Sequence, residues 1–379
     1  MNPMIVRICI LTALMISAAS AAPDRLFYRI TANTNTTITS WTPDGTLTWI
    51  CADTNGSHTI EATSDLGNSS TCFWGTVAYG VNTGLVMACT APKPDAPFPP
   101  EASSVLIPVG DFLMGDIYHT YSFPDSEGPP HTVHTSAYYI DSTEITRSQW
   151  DDVVGWATNN GYEFDSISWP DTGTNFPVYD VSWYDSVKWC NARSEKEGFP
   201  PVYFTNETWT SVYRLGQYDL GNSNVNWTAH GYRLPTEAEW EKAARGGLYQ
   251  NHYPWSSPGP TNASSYITAT NANYSLDGTG GDSTGTTAVA TFSQNGYGLY
   301  DMAGNVREWC WDYWDYYPDP AVNDLVDPTG PDSGTERAVR GGSTITQADD
   351  LRCSARSNSF PPVANPYYFI GFRCVRSCR

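Results

Sequence analysis

The side chains able to do chemistry in this chain are thiols, hydroxyls and carboxylates, and their spacing keeps them largely apart. Nine cysteines occur, none in a CxxC pair, so neither a zinc ribbon nor a thioredoxin-type redox site is indicated. One glycine turn, Arg340-Gly341-Gly342-Ser343, leads through Thr344-Ile345-Thr346 and Gln347-Ala348-Asp349-Asp350 to a first thiol only at Cys353. Hydroxyls and carboxylates are hard donors, whereas soft thiolates are what select Cu(I). Further upstream, Asp301-Met302-Ala303-Gly304-Asn305-Val306-Arg307-Glu308 brackets a glycine turn with two carboxylates, the all-oxygen donor set a hard cation prefers. His131-x-x-His134 has no third ligand nearby and reads as a strand or surface pair rather than a zinc site. GxSxG, HExxH and the P-loop are all absent. The run Trp309-Cys310-Trp311-Asp312-Tyr313-Trp314-Asp315-Tyr316-Tyr317 can serve as core around Trp309 and Trp311. It can equally serve as a stacking platform, with Tyr316 and Tyr317 the more exposed members.

Three helices announce themselves around these groups. Thr146-x-x-Gln149 is a capping box before the apolar stripe Trp150, Val153, Val154 and Ala157. Ser182-x-x-Asp185 caps a second helix with Trp183, Val187 and Cys190 on one face and Gly198 beyond its end. Thr236-x-x-Glu239 opens a third that stops at Gly246-Gly247, and its early Glu237 and Glu239 suit the positive helix end. The rest alternates brief strands with long loops, and residues 249–295 show almost no periodicity, so something must pin them. Seven arginines from Arg337 onward offer forked donors for loop carbonyls and carboxylates, with Arg356 a candidate for ligand binding as well.

Residues 24–90 differ in texture. Short alternating runs such as 46–50 and 76–79, separated by turn formers, predict a small all-β, sandwich-like domain, a spacer or second adhesion unit. A linker with five prolines follows at 91–104, and the larger domain occupies 105–379. Residues 1–21 read as a secretory signal: Arg7, an apolar run over 8–18, then Ala19-Ser20-Ala21. The expectation is an exported protein, secreted or periplasmic, with no membrane span. Forty acidic against twenty basic residues give a formal charge of −20, which argues against nucleic-acid partners. Loss of Cys9 with the signal leaves three cysteines (Cys51, Cys72, Cys89) before the linker and five after it. The odd counts imply a bridge between the two parts or one free thiol in each, among 105 possible connectivities.

Eight blocks, in order, resemble the formylglycine-generating (sulfatase-modifying factor) family: VGDFLMG (109–115), YYIDSTEIT (138–146), FPVYDVSWYDSVKWC (176–190), GYRLPTEAEWEKAARGG (231–247), YPW (253–255), NGYGLYDMAGNVREW (295–309), RAVRGGS (337–343) and GFRC (371–374). They cover roughly 105–376, and the first hundred residues lie outside them. The resemblance implies an α+β fold of low regular secondary structure, related to C-type lectin-like domains. It also implies calcium. One set would be Asp301, the carbonyls of Gly304 and Val306, and Glu308, unless Glu308 pairs with an arginine. A second would be Asn273 and the Tyr274 carbonyl, with Asp282 and the Thr284 carbonyl. A Cys190–Cys374 disulfide is likewise implied. Cys353 matches a second bridge cysteine whose usual partner position is Ala244 here.

Members of that family oxidise a sulfatase cysteine to formylglycine with copper held by two cysteines five residues apart. Thr346 stands at the first position, and the second falls in a shortened segment without a thiol. Ser343 keeps the place of a family active-site serine. These departures argue against copper and against oxidation. The reading is a secreted relative whose groove, formed by Ser343, Thr346, Arg356, Asn358, Tyr316 and Tyr317, binds a peptide or glycan. The alternative is a sulfatase-activating oxidase with rearranged thiols, Cys353 and Cys378 among them.

Overall fold

The computed structural model describes residues 27–32, 36–41, 46–51, 57–63, 75–81, 87–90, 104–116, 126–165, 173–248, 251–255, 267–275, 285–317, 325–356, 360–363 and 368–378. Residues 1–21, where a secretory signal is expected, most of the proline-rich stretch, and Asp282, Thr284 and Asn358 lie outside the described residues. The chain divides into two compact units, one of residues 1–99 with 108–110, the other of the remainder.

In the first unit, β1 (Phe27–Ala32), β4 (Ser57–Thr63) and β5 (Gly75–Val81) form one antiparallel sheet. A second antiparallel sheet comprises β2 (Thr36–Trp41), β3 (Thr46–Cys51) and β6 (Met87–Thr90).

The second unit is mixed α+β with little regular structure. Each helix begins where its capping residue stands. In α1 (Arg147–Ala157) and α3 (Glu237–Arg245), Thr146 and Thr236 accept from the N3 amide while Gln149 and Glu239 reach back, and in α2 (Trp183–Lys196) the Ser182 hydroxyl accepts from the Asp185 amide. Helix α3 ends on Gly246 at φ 59°, a left-handed position that favours glycine. Its sheets are small: β7 (Ser104–Ile107), β10 (Tyr138–Asp141), β11 (Tyr232–Arg233) and β16 (Val375–Ser377) make one, and β8 (Gly110–Met114), β9 (His131–Thr135) and β13 (Leu325–Val326) another. The sheet that carries the site is built on β12 (Arg307–Tyr313). It runs antiparallel to β14 (Arg337–Arg340), with Glu308 opposite Arg340, and parallel to β15 (Ile370–Gly371), with Glu308 opposite Gly371.

Tryptophan fills the main core, where Trp150, Trp183, Trp189, Trp309 and Trp311 are buried together. A buried indole needs an acceptor, and three of these show theirs at about 3 Å. Trp183 donates to the Cys310 carbonyl at 3.0 Å, Trp309 to that of Val181 at 2.9 Å, and Trp311 to the Asn222 side chain at 2.9 Å. Trp309 and Trp311 are therefore core, not platform.

Buried arginines tie down what the ladders leave loose. Arg340, fully enclosed, donates to Glu241 and to three successive carbonyls, Cys353 at 2.9 Å, Ser354 at 3.0 Å and Ala355 at 2.9 Å. The α3 residues Glu237, Glu241 and Arg245, spaced four apart, share one face. Glu237 takes a bidentate grip from Arg356 at 2.6 and 2.8 Å, and Glu241 pairs with Arg245 at 2.6 Å. Replacing Arg340 by Met strands Glu241 beside Arg245 alone and orphans three carbonyls. The expected loss is about 3–5 kcal/mol, or on the order of 10 °C in melting temperature, read by thermal denaturation. An unchanged melting temperature would dismiss the arginine as a loop clamp.

Candidate functional site

At the end of β14 the chain turns sharply through Gly341 at φ 89° and Gly342 at φ 68°. A Cβ on Gly342 would come within 2.7 Å of Leu351 and 2.8 Å of the Thr346 hydroxyl, so only glycine lets the next residues fold back. They close a small turn. The Ser343 amide donates to Thr346 Oγ1 at 2.8 Å, and Thr346 Oγ1 donates to the Ser343 carbonyl at 2.9 Å. The Thr346 hydroxyl is thus used in both directions by the backbone of Ser343, and both residues are buried.

Ser343 Oγ meets Arg307, whose Nη1 donates to it at 3.1 Å and to the Tyr368 carbonyl at 2.6 Å. Burial pulls the Arg307 pKa down to about 10, opposed chiefly by Asp350. On the other side of the same backbone, Arg307 N donates to Phe369 O at 2.8 Å. Phe369 at φ 51° and Asp180 at φ 57° are both left-handed without being glycine. Each such residue costs of order 1–3 kcal/mol, and such strain gathers at functional sites. The Phe369 ring stacks on Tyr179 at 5.1 Å. Burial raises the Asp180 carboxyl to about 6, against the hydrogen bond from the Phe369 backbone, and Asp180 Oδ1 is enclosed without a partner. Arg307, Asp180 and Phe369 were not singled out in the sequence. Nothing in a run such as NVRE marks an arginine as lacking a carboxylate.

Among the described residues no thiol joins this turn. Cys353 lies in an apolar cluster with Cys310 and Ala244, and its amide donates to the His252 carbonyl at 2.6 Å. Cys378 has a different neighbourhood, where Arg376 and Glu239 act on it. Burial pushes both Cys353 and Cys378 up to about 12, and Cys310 well above the ordinary thiol range. Thiols that stay protonated at neutral pH are weak nucleophiles. With Thr346 Oγ1 committed to backbone, the groups at this turn do not fit Cu(I).

A family model described as the sulfatase-modifying factor enzyme 1-like domain matches residues 90–378. The chain belongs to the sulfatase-modifying factor family. It is 33% identical over 282 residues to the formylglycine-generating enzyme of Thermomonospora curvata, covering 72% of this chain and 92% of that one. It is also 34% identical over 234 residues to the chaperone protein LppX of Paenibacillus barcinonensis, covering 59% of this chain and 74% of that one. Among solved structures, Treponema denticola variable protein 1 superposes with a TM-score of 0.54 at 32% identity, over 72% of this chain and 94% of that one.

For a sulfatase-modifying factor domain the expected calcium oxygens are unevenly placed here. Glu308 accepts from Arg373 Nε and Nη2, both at 2.7 Å, and from the Trp240 indole at 2.7 Å, so three of its lone pairs are taken. Asp301 uses Oδ2 for the Ala290 amide at 2.7 Å and leaves Oδ1 enclosed and unpartnered. Beside it lies Glu144, missed in the sequence, with Oε1 on Asn305 at 3.2 Å and Oε2 enclosed and unpartnered. Burial, then Asp301, raises the Glu144 carboxyl well above its ordinary range. Two orphaned carboxylate oxygens next to the Gly304–Val306 turn suit a hard cation. Among the described residues no three His, Cys, Asp or Glu side chains converge on a metal, so carbonyls would complete the shell. In the second set, Asn273 accepts from the Thr344 hydroxyl at 3.2 Å and donates to the Gly285 carbonyl at 2.9 Å, while the Tyr274 hydroxyl donates to Ile267 O at 3.3 Å.

The other residues expected to line a groove are scattered in role. Arg356 is spent on Glu237 and the Ser126 carbonyl at 2.8 Å, with its guanidinium 4.2 Å from the Tyr317 ring centre, so it is a clamp and not a free cation. Tyr316 is 50% exposed, enough to meet a ligand. His131 and His134 diverge, His131 to the Pro129 carbonyl and His134 to Asp111. Cys190 and Cys374 bring their sulfurs to 3.5 Å in the core. The turn analysis makes one demand of Thr346. Thr346→Ala should cost about 1–3 kcal/mol while Thr346→Ser stays within roughly 0.5 kcal/mol. Equal losses in chemical denaturation would mean the methyl, not the hydroxyl, matters.

Proposed function

We propose that this chain is an exported, non-oxidising member of its family that binds a peptide around Ser343 and Tyr316, with calcium holding the loops beneath. One observation carries the reading: the Thr346 hydroxyl is closed onto Ser343 where copper chemistry would need a thiolate, while Cys353 and Cys310 are buried elsewhere and Cys378 is half-buried in another neighbourhood. A peptide is favoured because the resembled enzymes act on a cysteine peptide and one relative is named a chaperone protein. A glycan is the second reading, favoured by the exposed Tyr316 lying edge-on to Trp314 at 5.2 Å. Cys190 and Cys374 close to a disulfide on export in this scheme.

Incubating the protein with copper, oxygen and a CxPxR peptide should yield no aldehyde by mass spectrometry, while the labelled peptide still shows saturable binding by anisotropy. Aldehyde at enzymatic rates would replace this reading with the rearranged-thiol oxidase. Calcium has its own test. The melting temperature should rise with added calcium, by about 2.7 kcal/mol of stability at a hundred times the dissociation constant. Glu144→Gln and Asp301→Asn should each abolish that response, whereas indifference of the unaltered protein to EDTA would remove calcium from the account.

A further inference from the structure

The buried arginines of the second unit follow a rule with one exception. Arg193, Arg233, Arg245, Arg340, Arg352, Arg356 and Arg373 each meet a carboxylate. Arg337 and Arg376 lie on ring faces, at 3.4 Å from Tyr313 and 4.6 Å from Phe199. Among the described residues Arg307 pairs with no carboxylate, and the ring it lies over there, Phe360, is farther off at 5.5 Å. Both of its hydrogen bonds leave from Nη1. Nε is enclosed without a partner, and among the described residues Nη2 makes no hydrogen bond.

That unused edge is the one Arg356 and Arg373 present to Glu237 and Glu308, each carboxylate taken by Nε and Nη2 together. A guanidinium edge of this shape matches a carboxylate with two parallel bonds. Ser343 adds to it. Its oxygen accepts from Arg307, which leaves the hydroxyl proton free to be given to a second acceptor. A desolvated cation without a counter-ion is costly to keep, and binding an anion there recovers that cost. The charge of the ligand is bounded as well. Asp350 acts on Arg307, and the chain carries −20 overall, so one negative charge is tolerated far better than two.

We propose that Arg307 and Ser343 form a receptor for a single carboxylate of the bound peptide, either an acidic side chain or the chain terminus. This rests on the binding face proposed at Ser343 and names the chemistry that face selects.

The probe is propionate on the full chain, followed by thermal shift and isothermal titration calorimetry, with sulfate and phosphate as divalent comparators at equal ionic strength. Propionate should stabilise saturably and the comparators should not. Arg307→Gln should abolish the effect and Ser343→Ala should weaken it about tenfold or more. Without propionate, Arg307→Gln should match or exceed the unaltered protein in melting temperature, the reverse of an arginine kept for structure. Because Arg307→Gln could disturb the turn, Arg307→Lys is the second variant: it keeps the charge, loses the fork, and should bind propionate at least tenfold more weakly. Peptide arms then separate the sources. A CxPxR peptide as free acid against its amide reports on the terminus, and an internal Glu against Gln reports on the side chain.

Propionate binding that survives Arg307→Gln, or equal response to sulfate, overturns the receptor. Peptides that bind while ignoring both carboxylate changes also overturn it, yet leave the groove standing. Propionate binding without any peptide binding keeps the receptor and sinks the peptide reading instead.

Discussion

Arg340 buried against Glu241 is the contact from which the rest of this unit hangs. A fold whose described residues form three α-helices and short strands has many backbone carbonyls that no ladder satisfies, and an unsatisfied buried carbonyl is expensive. One guanidinium here answers three of them in succession, at Cys353, Ser354 and Ala355, while its charge is met from α3. The same residue ends β14, so the strand, the helix and the 353–355 loop are located by a single side chain. The following residues, Gly341 to Thr346, inherit their position from it. A lysine could not do this, since it lacks the planar fork that reaches several acceptors at once.

From that placement follows the character of the site. The Ser343–Thr346 turn is short, enclosed and completed by a hydroxyl that gives and accepts within hydrogen-bond distance of one residue's backbone. A thiol at the same place would be a poor substitute in the turn, because sulfur is a weak donor and acceptor. The turn is thus closed by oxygen in this chain, and the backbone leading into it is held by Arg340 and α3. Fold and chemistry are separable in that sense.

What could be read from the sequence was local. Capping residues lie within three positions of the amides they satisfy, so Thr146, Ser182 and Thr236 mark helix starts that the structure forms. Family blocks carried the mixed fold with little regular structure. Partnerships across the chain were not legible. Arg356 and Glu237 stand 119 positions apart, and an arginine considered for ligand binding turned out to be consumed by that pair. Glu308 was read as a calcium ligand with an arginine as the plain competitor, and Arg373 does grip it. Glu144 escaped notice because its neighbour Asp301 is remote in sequence and their shared burial exists only after folding.

The cost of Arg307 bears on why the exception persists. Asp350 is close enough to act on the guanidinium yet makes no ion pair with it, although this chain pairs seven other buried arginines with carboxylates. A site kept short of its counter-ion, beside a residue as strained as Phe369, breaks local rules twice in one place. Two such departures around one serine are better explained by a ligand that completes the charge than by two unrelated defects, because only the first gives both of them a common compensation.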